Sequence, residues 1–281
     1  MFAPRSRLIL TIVLLQSFLA RSVESQVKTS VSPLELVKTV IHNELNRAGD
    51  REVRWKYLLN KQVEGKQETR EVVETRSGSL ERLIALAGKP LSGAEQHDEM
   101  QRILRLSRDG AEQQKLEQAH QKNEEQYNAF LRIIPQAFLF EHAGESGHLV
   151  KLSFKPSPSF QPSSRVERVL QEMAGEIWVD AAQNRLARIH GVLMNDVKFA
   201  GGFLGRLERG GEFTLKRTEI APDQWEVTQI TVNMRGKAVL VKNISVQQNE
   251  LHSDFQPVSN DLNLSDAAGL LLKHALVAAL P

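Results

Sequence analysis

The sequence contains no cysteine. That excludes disulfide frameworks, thiolate zinc sites, iron–sulfur clusters, cysteine nucleophiles and an acylated lipoprotein anchor. An excess of one charge is missing too. Of 36 Lys and Arg and 34 Asp and Glu, three basic residues (Arg5, Arg7, Arg21) and one acidic residue (Glu24) fall within residues 1–25, so 33 of each sign remain beyond them. Such a neutral chain exerts no general electrostatic pull on nucleic acid. The eight histidines form no HxxxH or HExxH pair. Glu141, His142 and His148 flank the turn Gly144–Gly147, but a zinc site needs three or four convergent ligands, so neither metal nor other cofactor is expected. Gly144-Glu145-Ser146-Gly147 is one residue short of the GxSxG nucleophile elbow. No pair of carboxylates stands out from the acidic surface residues, which leaves glycosidase chemistry without support. The expectation is a protein that is not an enzyme.

What the sequence does contain begins with a short basic stretch, Met1–Arg7, followed by 13 mostly apolar residues, Leu8–Ala20. Spanning a bilayer takes about 20 apolar residues. With small residues at Ala20/Ser22 and at Val23/Ser25, residues 1–25 read as a cleaved signal peptide, the alternative being an uncleaved anchor. The expected location is the periplasm or the medium.

Beyond residue 25 the composition is that of an ordinary globular chain: 41% hydrophobic, 25% charged, 17 Gly and 10 Pro. Leu34, Val37, Val40, Ile41 and Leu45 recur at helical spacing, which predicts a helix over 33–48. From Arg51 the period becomes two. Val53, Trp55, Tyr57 and Leu59 share one face, expected inward, with Arg54 and Lys56 outward. Turns at Glu64–Gly65 and Ser77–Gly78 make residues 51–87 a three-strand meander. Ser92–Ile134 is a polar helical insert split at Asp109–Gly110 and stopped by Pro135. Strands follow at Gln136–Glu141 and His148–Phe154, a Pro-rich loop at Lys155–Ser164, and a short helix at Arg165–Met173. Further strands fall at Gly175–Asp180, Arg185–Asn195, Gly211–Ile220, Gln224–Met234 and Lys237–Gln247, with a turn at Arg235–Gly236 and a last strand near Leu251–Phe255. The tail, 261–281, holds an apolar helix over Ser265–Leu280. It must be buried, dimerise or lie peripherally against a membrane. The pattern predicts an α+β domain over 26–260: one large curved antiparallel sheet of about ten strands, an incomplete barrel with helices on or in its concave face.

The stretch GEIWVDAAQNRLARI, Gly175–Ile189, resembles a hairpin of the lipoprotein carrier/receptor (LolA/LolB-like) fold, and the element order is similar over about residues 33–256. Segments such as REVVETRSG and ISVQQNELHSDFQ also resemble exported proteins of soil bacteria, a group that implies no function. The carrier resemblance implies an incomplete antiparallel barrel whose hydrophobic concave face shelters acyl chains without catalysis. None of that family's ligand-contacting residues has a counterpart that can be matched here.

On the residues themselves, Trp55, Tyr57, Ile230, Val232 and Met234 are the candidates to line an internal cavity. The glycine-rich stretch Lys198–Phe213 adds Phe199, Phe203 and Leu204, which fit either a gate at the cavity mouth or a plain turn. It meets neither phosphate-binding glycine pattern. The leading expectation is therefore a binding protein for a hydrophobic small molecule or acyl chain. Its alternative is an interaction protein with a plugged barrel, the polar helix pair being the contact surface for a protein partner of unspecified kind.

Overall fold

Ser32 Oγ accepts a hydrogen bond from the Glu35 N–H and Pro33 fills the first turn, so α1 (Pro33–Leu45) starts where the sequence demands. The computed structural model describes residues 31–46, 53–199, 205–238 and 242–278. Contacts divide the chain at residue 31, and the elements below belong to the unit Ser32–Pro281. The expected signal peptide lies outside the described residues, as do Phe203 and Leu204.

The meander is β1 (Arg54–Val63), β2 (Lys66–Thr75) and β3 (Gly78–Leu86). Glu64 and Gly65 both take positive φ, 49° and 82°, as a two-residue hairpin turn requires. A two-residue β4 (Lys89–Pro90) precedes α2 (Gly93–Arg108), which opens on a Ser92/Glu95 capping box. Asp109 then caps α3 (Gly110–Ala137). Pro135 does not stop this helix, which runs through it to Ala137; the Leu131 carbonyl gets no N–H from it, so one ladder bond is missing there. There follow β5 (Phe138–Ser146), β6 (Leu149–Pro156), α4 (Arg165–Gln171), β7 (Met173–Asp180), β8 (Arg185–Leu193), β9 (Val197–Phe199), β10 (Gly205–Leu207), β11 (Glu212–Ala221), β12 (Gln224–Ala238), β13 (Lys242–Val258) and α5 (Leu264–Ala278).

Two expected boundaries are corrected. Arg235–Gly236 is not a turn but part of β12. Gly236 is there because β10 crosses so close that a Cβ would stand 2.3 Å from the Arg206 carbonyl oxygen. From Lys242 the two last expected strands are one, β13, because residues 248–250 pair without a break with both β12 and β1; its bulge, at Asp254 with φ 57°, comes later, opposite β1.

All strands form one antiparallel sheet of 13, open rather than closed into a barrel, in the order β4-β3-β2-β1-β13-β12-β11-β8-β7-β6-β5, with β10 on β12 and β9 on β10. Residues directly paired across antiparallel strands share a face. The row Ile177–Ile189–Leu215–Ile230–Glu250–Lys61 thus defines one face, here called inner, from β7 to β1. Trp55, Tyr57 and Leu59 alternate onto that face with Lys61, and Val72 pairs with Tyr57. Val73 and its partner Leu80 therefore point outward.

Each end of the sheet buries a different face. At the β5–β8 end, α1, α3 and α4 cover the inner face with Val40, Leu131, Ile134 and Leu170 packed on Leu152, Ile177, Leu186 and Leu215. At the β2–β3 end, α2 and α5 cover the outer face, with Ile103, Leu264, Ala267 and Leu271 on Val73 and Leu80. Lys56 faces outward, as expected, and is buried at 9% exposure beside Glu71 (3.8 Å). The apolar C-terminal helix packs on the face opposite Trp55 and Tyr57. The 28-residue α3 links the two layers: its Leu116 packs on the second cluster and its Tyr127 and Phe130 on the first.

The β3 edge is partly covered by side chains. Glu99 accepts the Leu83 N–H at 2.6 Å, Arg102 donates to the Glu81 carbonyl, and the two side chains bridge at 2.7 Å. Burial opposes the Glu99 charge, yet Arg102 and the Leu83 N–H outweigh it and hold the carboxyl below its ordinary value. These two side chains take one donor and one acceptor of β3 beyond its short pairing with β4, which makes this side of the sheet a poorer template for another strand.

Leu271 is fully buried in the second cluster. Leu271→Ala is expected to lower stability by about 2–5 kcal/mol in urea denaturation, as for a core leucine; an unchanged midpoint would show that α5 is not core.

Candidate functional site

Between the two helix-covered ends lies the inner face of β1, β13 and β12. Trp55, Tyr57, Ile230, Val232 and Met234 are all on it, as their sequence pattern suggested. Tyr57 stacks on His252 (5.1 Å between centroids) and on Phe255 (5.2 Å), and Trp55 meets Phe255 edge-on at 6.1 Å. Trp55 and Leu59 are buried, whereas Ile230, Val232 and Met234 are half-buried. Ile230 and Val232 belong to neither core cluster, while Met234 and the half-buried Phe199 pack against the first. The Trp55 indole Nε1 is buried without a hydrogen-bond partner among the described residues.

Polar groups stand beside this wall. Burial first, and then the carboxylates of Glu74, Glu81, Glu226 and Glu250, push the Tyr57 phenol above its usual range, so it stays neutral. Glu250 is ionised: His252, with Nε2 at 3.7 Å, Lys61 at 2.7 Å and the Gln248 amide at 2.9 Å hold its carboxyl down to about 2.

At one end of this face the β7–β8 and β11–β12 turns converge with the start of β1 and with α1 and α3. They enclose a depression of about 920 Å³ lined by Val53, Asn46, Tyr127, Gln183, Arg185 and Glu226, among others. Its floor is an ion cluster. Glu44, on the buried stripe of α1, pairs with Arg217 of β11, accepts the Leu186 N–H at 3.4 Å and lies 3.8 Å from Arg185. Arg217 also donates to the Trp225 carbonyl, and its Nε has no partner among the described residues. Burial pulls the Arg217 pKa down, while Glu226 raises it.

Sequence reasoning missed this cluster because its members lie 141 to 173 residues from Glu44. The one available signal was a carboxylate in the apolar stripe Val37–Ile41–Glu44. Among the described residues no group of three or more His, Asp or Glu is placed to hold a metal, and no helix is long and apolar enough to cross a membrane.

No protein-family model, curated protein or solved structure matches this chain.

Two measurements follow. Because the Glu250 carboxyl is depressed from 4.5 to about 2, its contribution is fully present above about pH 4.5 and is lost as pH falls towards 2. The full shift corresponds to about 3 kcal/mol; with solvent screening of the partly exposed carboxylate about 2 kcal/mol should disappear over that interval, and Glu250→Gln should flatten the slope in denaturation curves taken from pH 5 to 2.5. Glu44→Ala leaves Arg217 buried without its counter-charge. It should cost about 3–5 kcal/mol, most of it recovered in Glu44→Ala/Arg217→Met; a small loss in the single variant would show the pair to be hydrated.

Proposed function

We propose that this is an exported, non-catalytic binding protein that holds a hydrophobic ligand, an acyl chain or lipid, against the inner face of β1, β13 and β12. The observation that supports it most is that Ile230 and Val232 share this face with the Tyr57–Phe255–Trp55 aromatic group, the two lying on either side of Glu250, Lys61 and His252. These half-buried apolar residues belong to neither helix-packed core, and they sit between the two parts of the sheet that do. Ligand pockets are lined mainly by such apolar and aromatic side chains, with a few placed polar groups. Glu250, Lys61 and His252, between the aliphatic and the aromatic residues, would be those groups and would face the polar part of an amphiphile. The depression above Glu44 and Arg217 is the way in: Val53, in its lining, lies two residues before Trp55, and Glu226, also in its lining, acts electrostatically on Tyr57. Export rests on the pattern of residues 1–25.

A second reading, an interaction protein with a filled sheet, is favoured by one observation: Trp55 and Leu59 are already buried by the chain itself.

Binding of a fluorescent fatty acid separates the two. The protein should bind it saturably, and Ile230→Asp/Val232→Asp should weaken binding at least about tenfold, equal to ~1.4 kcal/mol, with far-ultraviolet circular dichroism unchanged. No binding by the parent protein, or equal binding by the folded variant, would favour the filled sheet.

A further inference from the structure

The outer face carries a second depression, about 850 Å³, over β6, β7, β8, β11 and β12. The cross-strand row Lys151–Trp178–Arg188–Lys216–Gln229 runs through it. Lys151 Nζ is held by Glu176 and stands 5.3 Å from the centre of the Trp178 ring. Arg188 and Lys216 are different. They are direct cross-strand neighbours, both exposed, and among the described residues neither side chain has a hydrogen bond or an ion pair. Like charges placed directly opposite destabilise a sheet, so an anion held between the two would relieve a repulsion in the fold. The acidic residues in the same depression make no ion pair with either: Asp180 accepts the Ala182 and Gln183 N–H groups of its own turn, and Glu219 accepts from the Gln183 amide and the Asp223 N–H. Beside the cations, Trp178 Nε1 is a buried donor with no acceptor among the described residues. Thr214, Thr231 and Gln229 add hydroxyl and amide groups on the same wall.

We propose that this depression binds a small acidic saccharide, its ring against the Trp178 indole and its carboxylate or phosphate between Arg188 and Lys216. The charge pair calls for an anion. A flat indole next to several hydroxyl and amide groups suits a ring that is apolar on its face and polar at its rim. The indole is recessed with its nitrogen buried, so the flat surface of a bilayer does not reach it, whereas a ligand of a few rings enters. The site is on the face opposite Ile230 and Tyr57 and is independent of the hydrophobic-ligand reading.

Titration calorimetry with galacturonate, glucose 6-phosphate, glucose and inorganic phosphate tests it. Galacturonate or glucose 6-phosphate should bind at least about tenfold more tightly than either glucose or phosphate and should quench Trp178 fluorescence. Arg188→Gln/Lys216→Gln should abolish that advantage while leaving the melting temperature unchanged or raised, since it removes a like-charge pair. Trp178→Leu should weaken the sugar acids and leave phosphate alone. No binding of either sugar acid, phosphate binding as tightly as both, or binding that survives in the double charge variant would each overturn the proposal.

Discussion

The cross-strand row from β7 to β1 is the constraint on which the rest of the molecule depends. Once Ile177, Ile189, Leu215, Ile230, Glu250 and Lys61 are paired in one row, alternation decides the side of the other strand residues, except where a bulge resets it, as it does between Ile189 and Leu186. Val73 and Leu80 fall on the opposite side from Leu215, so no single helical layer can bury both. The chain answers with two layers, α1, α3 and α4 on one face at one end and α2 and α5 on the other face at the other end. An open sheet also has two edges, and the Glu99–Arg102 pair partly covers that of β3. The middle strands are left with an inner face of mixed aromatic, aliphatic and charged residues and an outer face carrying an uncompensated pair of cations.

The Glu44–Arg217 pair ties this arrangement together at the strand ends. Arg217 is fixed from one side by the first helix and from the other by the Trp225 carbonyl, while Glu44 also takes the Leu186 N–H at the start of β8. One carboxylate thus joins α1 to β8 and β11. Buried charge of this kind adds little to stability against an apolar substitute, but it is unforgiving of displacement and so fixes where α1 sits. It also makes the floor of the depression polar at a point where the adjoining sheet face is apolar.

Much of this was legible in the sequence because it follows from local periodicity. The period-two pattern of Trp55, Tyr57 and Leu59 placed them on one face, and the caps Ser32, Ser92, Asp109 and Ser164 mark the starts of four helices within a residue or two of where the sequence puts them. The misses are all non-local. Gly236 reads as a turn residue until β10 is laid against it, and residues 248–250 read as a gap until their pairing with β12 and β1 is known. Lys56 looks solvent-facing because nothing near it in sequence announces Glu71 of β2, beside which it is buried. The clusters Glu44–Arg217 and Arg188–Lys216 each join residues from separate elements, which no spacing rule connects. Phe203 and Leu204 lie outside the described residues, and their role as gate or turn stays with the sequence.

A face that is neither core nor plain solvent surface is what joins the fold to the proposed function. Ile230 and Val232 have apolar neighbours along the sheet but no place in either helix-packed cluster, and the polar trio Glu250, Lys61 and His252 lies between them and the aromatic group, where it would face the polar part of an amphiphile. The most direct measurement is native mass spectrometry of protein purified from the cells that make it, without detergent. The hydrophobic-ligand account predicts a population heavier than the polypeptide by the mass of a lipid or fatty acid, released when the protein is denatured. A bare polypeptide mass under both conditions would contradict it.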